Sequence, residues 1–100
     1  MKPIRFHPEA EAEMIQAAAW YEAHQKDLGK RFLTCVQEAL NRLVLNPALY
    51  PVVEPEVRRC LTRTFPFGVL FSIKPDRLVI MAIMHLHRDP DYWKKRRLEP

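Results

Sequence analysis

Two apolar segments in the C-terminal half, joined by a tight turn, restrict the fold of this chain more than any other feature of its sequence. Residues 67–74 and 77–87 are rich in β-branched and aromatic side chains, a composition typical of strands. They are joined through Lys74-Pro75-Asp76-Arg77, in which the proline suits the second position of a turn and the aspartate follows it. The sequence therefore predicts an antiparallel hairpin.

The length of the turn determines the predicted register of this hairpin. With Pro75 and Asp76 as the loop, the expected pairs are Ile73 with Leu78, Phe71 with Ile80, Val69 with Ala82 and Phe67 with Met84. Since alternate residues of a strand share a face, these eight apolar side chains are expected to cover a pair of helices. The opposite face is less bulky and becomes polar at its end, with Gly68, Leu70, Ser72, Val79, Met81, Ile83, His85 and His87.

The N-terminal half contains two helical patterns separated by a short break at Leu28-Gly29. Pro8 suits the first position of a helix, and the acidic residues after it favour the positive end of the helix dipole. The apolar face of this helix is predicted to hold Ala10, Met14, Ala17 and Tyr21. The second stripe consists of Phe32, Val36, Ala39, Leu40 and Leu43, and it ends at Asn46-Pro47. Together the two segments predict an αα-hairpin.

The remaining segments complete a small α+β fold. Residues 2–6 and 57–63 are predicted to be strands, and the proline-containing residues 48–56 a connecting loop. The element order is then β-α-α-β-β-β, with the helices packed on one face of a mainly antiparallel sheet. A length of 100 residues suits one domain spanning 1–100, whose end at 89–100 is a basic tail with aromatic residues.

Composition favours a cytoplasmic protein. No apolar segment approaches the ~18 residues that a membrane-spanning helix requires, and the N-terminal residues lack the apolar stretch of a secretion signal. Cys35 and Cys60 do not form a C-x-x-C pair, so we expect reduced thiols in core positions.

The excess of positive over negative charge lies entirely in the second half of the chain. Residues 1–50 hold six basic and six acidic side chains (6 − 6 = 0), whereas residues 51–100 hold ten basic and six acidic ones (10 − 6 = +4). A one-sided basic surface suits an anionic partner, either nucleic acid or an acidic protein. A solvated, solubilising tail explains the same excess equally well.

The segment 85–96 concentrates the side chains that can carry chemistry. Metal-free RNA cleavage requires an acid or base, for which His85 or His87 is suitable, and cations such as Arg59, Arg63 or Arg88 on the scissile phosphate. Stacking on a splayed base suits Tyr92 and Trp93, and contact with the RNA backbone suits Lys94, Lys95, Arg96 and Arg97. Which of Arg58 and Arg59 faces the site is left open, because both neighbouring residues of that strand are apolar.

Two other interpretations explain the same segment. His85 and His87 resemble an H-x-H metal pair with Asp89 or Asp91 as a further ligand, but Pro90 stands where the signature of metallo-hydrolases requires histidine. We therefore expect no metal or other cofactor. In a purely structural interpretation, the histidine ends a core strand, the two tail aromatics pack onto the sheet, and the arginines are solvated.

The chain resembles the RelE/ParE superfamily of toxins from type II toxin–antitoxin modules, in the branch of plasmid-stabilisation proteins. The resemblance extends over nearly the whole sequence. Its motifs are Phe6-His7-Pro8-Glu9-Ala10, Ala19-Trp20-Tyr21-Glu22, Leu28-Gly29-Lys30-Arg31-Phe32, Asn46-Pro47, Arg58-Arg59, Phe65-Pro66-Phe67-Gly68-Val69, Ile83-Met84-His85 and Arg88-Asp89-Pro90-Asp91-Tyr92-Trp93.

The resemblance implies a growth-arresting toxin that is neutralised by a cognate antitoxin in a hetero-oligomer, on a curved sheet. RelE-like members cleave mRNA at the ribosome, whereas ParE-like members poison DNA gyrase. For the nuclease, the catalytic residues by resemblance are His85, Arg59, Arg63 and Tyr92, and the target-binding residues Arg58, Arg88, Trp93, Lys94, Lys95 and Arg96. The segment 48–56 departs from the nuclease pattern, because it has no lysine and carries Glu54 and Glu56. A non-catalytic RNA-binding module and an inert relative that binds only its antitoxin are the alternatives.

Overall fold

In the computed structural model, which describes residues 1–96, two helices pack on one face of a five-stranded sheet. The elements are β1 (Ile4–Phe6), α1 (Pro8–His24), α2 (Leu28–Leu45), a 3-10 turn (Pro47–Leu49), β2 (Val52–Glu54), β3 (Val57–Leu61), β4 (Phe67–Ile73) and β5 (Leu78–His85). The strand order is β1-β5-β4-β3-β2; β1 is parallel to β5, and all other neighbours are antiparallel. The predicted α+β fold is confirmed. Of the predicted tail, residues 97–100, including Arg97, lie outside the described residues.

Strand β2 corrects the prediction of a loop over residues 48–56. Its three residues lie between Pro51 and Pro55, and it pairs with β3 at the edge of the sheet. A strand this short, next to residues that lack an N–H, leaves no periodic pattern in the sequence. The last strand is also shorter than predicted and ends at His85, so His87 lies in a turn.

The two helices are in close contact at Gly29. The predicted break at Leu28-Gly29 lies instead at residues 25–27, and Gly29 belongs to the first turn of α2. Glu22 of α1 caps that turn: its carboxylate accepts the N–H of Asp27 at 2.9 Å and that of Gly29 at 3.0 Å. A Cβ at Gly29 would lie 2.5 Å from the carbonyl oxygen of Ala18. The glycine is therefore required by the close contact between the helices.

The main core lies between the helices and the sheet. All five residues of the predicted α2 stripe are buried, as predicted, whereas Ala10 is the one fully buried residue of α1. At the centre, Phe32 packs edge-on against Phe65 and Phe67, and Tyr21 lies over the same group. No helix within residues 1–96 has the length and apolar character needed to cross a bilayer.

A β-bulge changes the register of the β4–β5 hairpin. The predicted pairs Ile73 with Leu78 and Phe71 with Ile80 are present, but Met81 has no partner in β4. Beyond this extra residue, the predicted pairs are wrong. A single bulged residue moves each following side chain of β5 to the opposite face of the sheet. Val69 pairs with Ile83 instead of Ala82, and Phe67 pairs with His85 instead of Met84.

The face of the sheet opposite the helices is covered by the tail. A second core there consists of Val57, Leu70, Val79, Met81, Ala82, Met84 and Trp93, with Tyr92 packed against it. Trp93 is the tail's anchor, with 4% of its surface exposed. The predicted open, less bulky face is therefore a filled one, as the structural interpretation of the tail aromatics expected.

We expect Gly29→Ala to destabilise the protein by about 1–3 kcal/mol, because its methyl group overlaps the Ala18 carbonyl oxygen. At an exposed position inside a helix, the same change would raise the free energy of unfolding by about 0.5–1 kcal/mol. Urea unfolding followed by circular dichroism measures the difference. Gly68→Ala is the control, because its Cβ would meet the flexible side chain of Arg59 at 3.2 Å and the cost is smaller. Unchanged or increased stability of the Gly29 variant would contradict the analysis.

The chain offers a matched pair of tryptophans to test the tail. Trp93→Ala is expected to cost about 3–5 kcal/mol, because it empties a buried site on the sheet. Trp20→Ala, at a side chain that is 57% exposed, is expected to cost less than about 1 kcal/mol. Urea unfolding measures both free energies. If Trp93→Ala lowers the free energy of unfolding by less than about 1 kcal/mol, as expected for Trp20→Ala, the tail contributes little to stability.

Candidate functional site

His85 and Arg59, the acid–base and phosphate-binding residues of the predicted nuclease, lie on opposite faces of the sheet. The bulge turns His85 toward the helices, where it pairs with Phe67 at the end of β5. Arg59 pairs with Leu70, a residue of the core under the tail. The prediction that the two side chains share one hollow is wrong, and the bulged residue is the reason.

His85 lines an open groove between α1 and the end of β5. The groove has a volume of about 370 Å³ and is bordered by Ala17, Trp20, Tyr21, Phe67 and His85. The ring of His24 stacks on that of Trp20, with centroids 3.9 Å apart. The N–H of His87 donates to Nδ1 of His85 at 3.1 Å, which leaves the proton of a neutral His85 ring on Nε2. The groove is thus mainly aromatic.

Arg59 lies beneath the tail, beside a small cavity of about 80 Å³. Glu54, Asp91 and Trp93 also line this cavity. The Arg59 stem passes over Gly68, where a Cβ would approach it to 3.2 Å. Its Nε is buried and, within residues 1–96, has no hydrogen-bond partner. The residue as a whole is half-buried, and it also lines an open pocket with Arg42, Tyr50 and Leu61.

The other two arginines in and after β3, Arg58 and Arg63, contact groups on the helix side of the sheet. Arg58 alternates with Arg59 and donates to the carbonyl oxygens of Ala48 and Tyr50 at 3.1 and 2.7 Å. It therefore fastens the segment after α2, which answers the question of which arginine faces the tail. Arg63 follows β3, is largely exposed, and lies 3.7 Å from Glu38 of α2.

Lys94 holds the tail to the far edge of the sheet. Its Nζ lies 2.6 Å from a carboxylate oxygen of Glu54 and 2.8 Å from one of Asp91. The hydrogen bonds to Asp91 and Glu54 raise the pKa of Lys94 to about 12. Both Lys94 and its neighbour Lys95 are exposed.

Arg96 forms a buried ion pair with Glu13 of α1. Two parallel hydrogen bonds of 2.9 Å join the guanidinium and the carboxylate, whose side chains are 9% and 12% exposed. Burial disfavours the charge of Arg96, but the hydrogen bonds and charge of Glu13 keep its pKa above the ordinary value. The pair is bidentate and well protected from solvent, which makes it one of the stronger interactions in the fold.

Tyr92 lies between this pair and Arg88. The Arg88 guanidinium stands 3.7 Å from the centre of the Tyr92 ring and 3.6 Å from the Glu13 carboxylate. Burial, with a smaller contribution from Glu13, raises the pKa of Tyr92. Tyr92 is thus a neutral packing residue in this arrangement, with cations over its ring.

Within residues 1–96, the predicted catalytic residues are not brought together. His85 lies in the groove and Arg59 beside the cavity under the tail. Arg63 follows the end of β3, and Tyr92 lies beside the pair of Glu13 and Arg96. No three histidine, cysteine, aspartate or glutamate side chains among these residues are placed to hold a metal ion. Sequence reasoning missed Glu13 as a partner of the tail, because an acidic residue in the first half of a helix is explained by the dipole alone.

Comparison with known proteins agrees with the resemblance seen in the sequence. A family model described as the ParE toxin of the type II toxin–antitoxin system parDE matches residues 4–90. A solved structure titled as a chromosomal ParDE TA system from P. aeruginosa is similar in fold, with a TM-score of 0.65 and 19% identity; the match covers 87% of this chain and 98% of that one. No curated protein matches the chain. Since the family model spans most of its residues, the chain belongs to the family of ParE toxins of type II toxin–antitoxin systems.

Proposed function

We propose that this chain is a cytoplasmic toxin that arrests growth by binding a protein target, DNA gyrase, and does not cleave mRNA. The observation that argues against mRNA cleavage is the separation of His85 from Arg59 on opposite faces of the sheet. The match to the family of ParE toxins favours the gyrase-binding alternative. A nuclease of the RelE kind requires an acid–base group and phosphate-binding cations around one scissile bond.

The state of the other cations supports the same proposal. Four of the predicted RNA-binding residues are occupied within the chain: Arg58 with backbone carbonyls, Lys94 with Glu54 and Asp91, and Arg88 and Arg96 with Glu13. Arg96, whose side chain is 9% exposed, would have to leave Glu13 before it could contact a phosphate, whereas Arg88 and Lys94 are more exposed, at 54% and 39%. The tail cations thus contribute to the stability of the fold more directly than to an RNA surface.

We also propose that the antitoxin docks in the groove beside α1. Trp20 projects into solvent from this helix, and the groove beside it offers an aromatic pocket at the end of β5. Membership in the ParE family of paired toxins supplies the occupant, an antitoxin segment with apolar side chains. A large exposed aromatic side chain next to a pocket is typical of an interface hot spot.

Brief induction of the toxin in a bacterium that carries translation and DNA-damage reporters tests the target. We expect filamentation and a damage response to precede any loss of translation. Transcripts cut within minutes, with translation lost first, would contradict the proposal and favour the nuclease. Protein that is soluble and folded but leaves growth unaffected would favour the inert relative.

The variant His85→Ala tests whether the imidazole takes part in catalysis. We expect growth arrest within about threefold of the parent, because the ring lies away from Arg59. Loss of an acid–base group in a nuclease would instead reduce activity by about 10²–10⁴-fold. Growth inhibition is measured at matched expression, and circular dichroism establishes that the variant is folded. Loss of toxicity in a folded variant would contradict the prediction.

Trp20→Ala tests the antitoxin groove. We expect the variant to remain toxic but to bind its antitoxin at least roughly 30-fold more weakly, since a hot-spot side chain contributes about 2 kcal/mol or more. Leu49→Ala is the matched control, because this apolar side chain is 78% exposed and lies beyond the end of α2. Equal affinity of the two variants would contradict the placement of the antitoxin.

A further inference from the structure

Among the described residues, no strand pairs with the outer edge of the second half of β5. Strand β1 is so short that its pairing ends with Phe6 opposite Ile80. Beyond that point, side chains take over the backbone groups of β5. Nη1 of Arg96 donates to the carbonyl oxygen of Met81 at 2.9 Å, and the N–H of Ile83 donates to Oε1 of Glu13 at 3.1 Å.

We call these two side chains, Glu13 and Arg96, the edge clamp. They bond to each other twice and to the strand once each, so both charged groups are satisfied. Buried backbone groups require partners, and the clamp supplies them for a carbonyl and an N–H that are two residues apart. The bulge at Met81 lies at the same place.

The side-chain pattern of β5 does not by itself select the bulged register. Residues 79–84 are all apolar and all buried. A bulge-free strand would place Ala82 and Met84 toward the helices, and Ile83 and His85 toward the tail. Both arrangements bury apolar side chains on both faces, and register is weakly specified where the two faces of a strand are alike.

We propose that the edge clamp sets the register of β5 and so determines the face on which His85 lies. In the bulged register the Met81 carbonyl and the Ile83 N–H meet the guanidinium and the carboxylate. Without the clamp, these groups lose their partners on a partly buried edge. The bulge is then left without the interactions that favour it, and the strand slips by one residue into the regular ladder.

The slip would have a chemical consequence. In the bulge-free register His85 stands opposite Pro66 and next to Gly68, the residue against which the stem of Arg59 packs. The clamp therefore keeps the imidazole of His85 and the guanidinium of Arg59 on separate faces of the sheet. A one-residue slip would bring these two groups onto the same face. This inference concerns the fold and does not rest on the proposed target or on the antitoxin groove.

The variant Arg96→Met tests the clamp, because it keeps a long apolar stem and removes the guanidinium. Cross-strand nuclear Overhauser contacts in isotope-labelled full-length protein report the register directly. In the parent we expect Val69 to contact Ile83. In the variant we expect that contact to be lost and replaced by contact with Ala82. A merely stabilising role for Arg96 would not change which residues face each other.

Lys94→Met is the matched control. Lys94 lies in the same tail and makes ion pairs with Glu54 and Asp91, but it bonds to no backbone group of β5. We expect the control to keep the contact of Val69 with Ile83. A folded Arg96→Met protein that also keeps this contact, with no trace of the alternative, would overturn the proposal.

A second variant covers the case in which Arg96→Met does not fold. Deletion of Met81 removes the bulged residue. The observed pairs on both sides of it then form a regular ladder, whose register does not depend on the clamp. Adding this deletion to Arg96→Met is expected to restore a folded protein, with His85 still facing the helices and its ring in contact with that of Phe67. A double variant that remains unfolded would overturn the proposal, because the clamp would then serve stability and not register.

Discussion

The long strands of this sheet are apolar on both faces, and so the structure depends on two covering layers. The helices supply the first layer and bury their aromatic cluster around Phe32. The tail supplies the second with one indole, that of Trp93, in a core of otherwise aliphatic side chains. In a chain of 100 residues with a modest core, neither layer is dispensable.

Charge has a structural role where these layers meet. The helix layer and the tail layer are joined around the edge of β5 by Glu13 and Arg96, which are both shielded from solvent. Removing either partner would leave the remaining buried charge with only a longer ion pair, Glu13 with Arg88 or Arg96 with Glu9, each at 3.6 Å. The excess of basic residues in the second half of the chain, taken alone, suggests a surface for an anionic partner. In the folded protein, much of that charge is directed inward or toward neighbouring carboxylates.

The parts of the fold that the sequence predicts are those with a regular pattern. The stripe on α2 and the first two pairs of the β4–β5 hairpin follow from helical spacing and from the Pro75-Asp76 turn. The bulge at Met81 gives no such signal, because its neighbours on both sides are apolar. The candidate site was predicted from the regular register, so one unpaired residue moved His85 to the other face. Long-range partners such as Glu13 and Arg96, separated by 82 intervening residues, leave no local pattern at all.

Both edges of the sheet are terminated in the same way. Strand β1 has Pro3 immediately before it and Pro8 two residues after it, and β2 lies between Pro51 and Pro55. The prolines thus leave four residues with an N–H at the β1 edge and three at the β2 edge before the row of amide donors is interrupted. The two outer strands are therefore poor templates for backbone-to-backbone addition by a foreign strand. At these two edges, we expect side-chain shape and polarity to contribute more to contact with another protein than backbone pairing does.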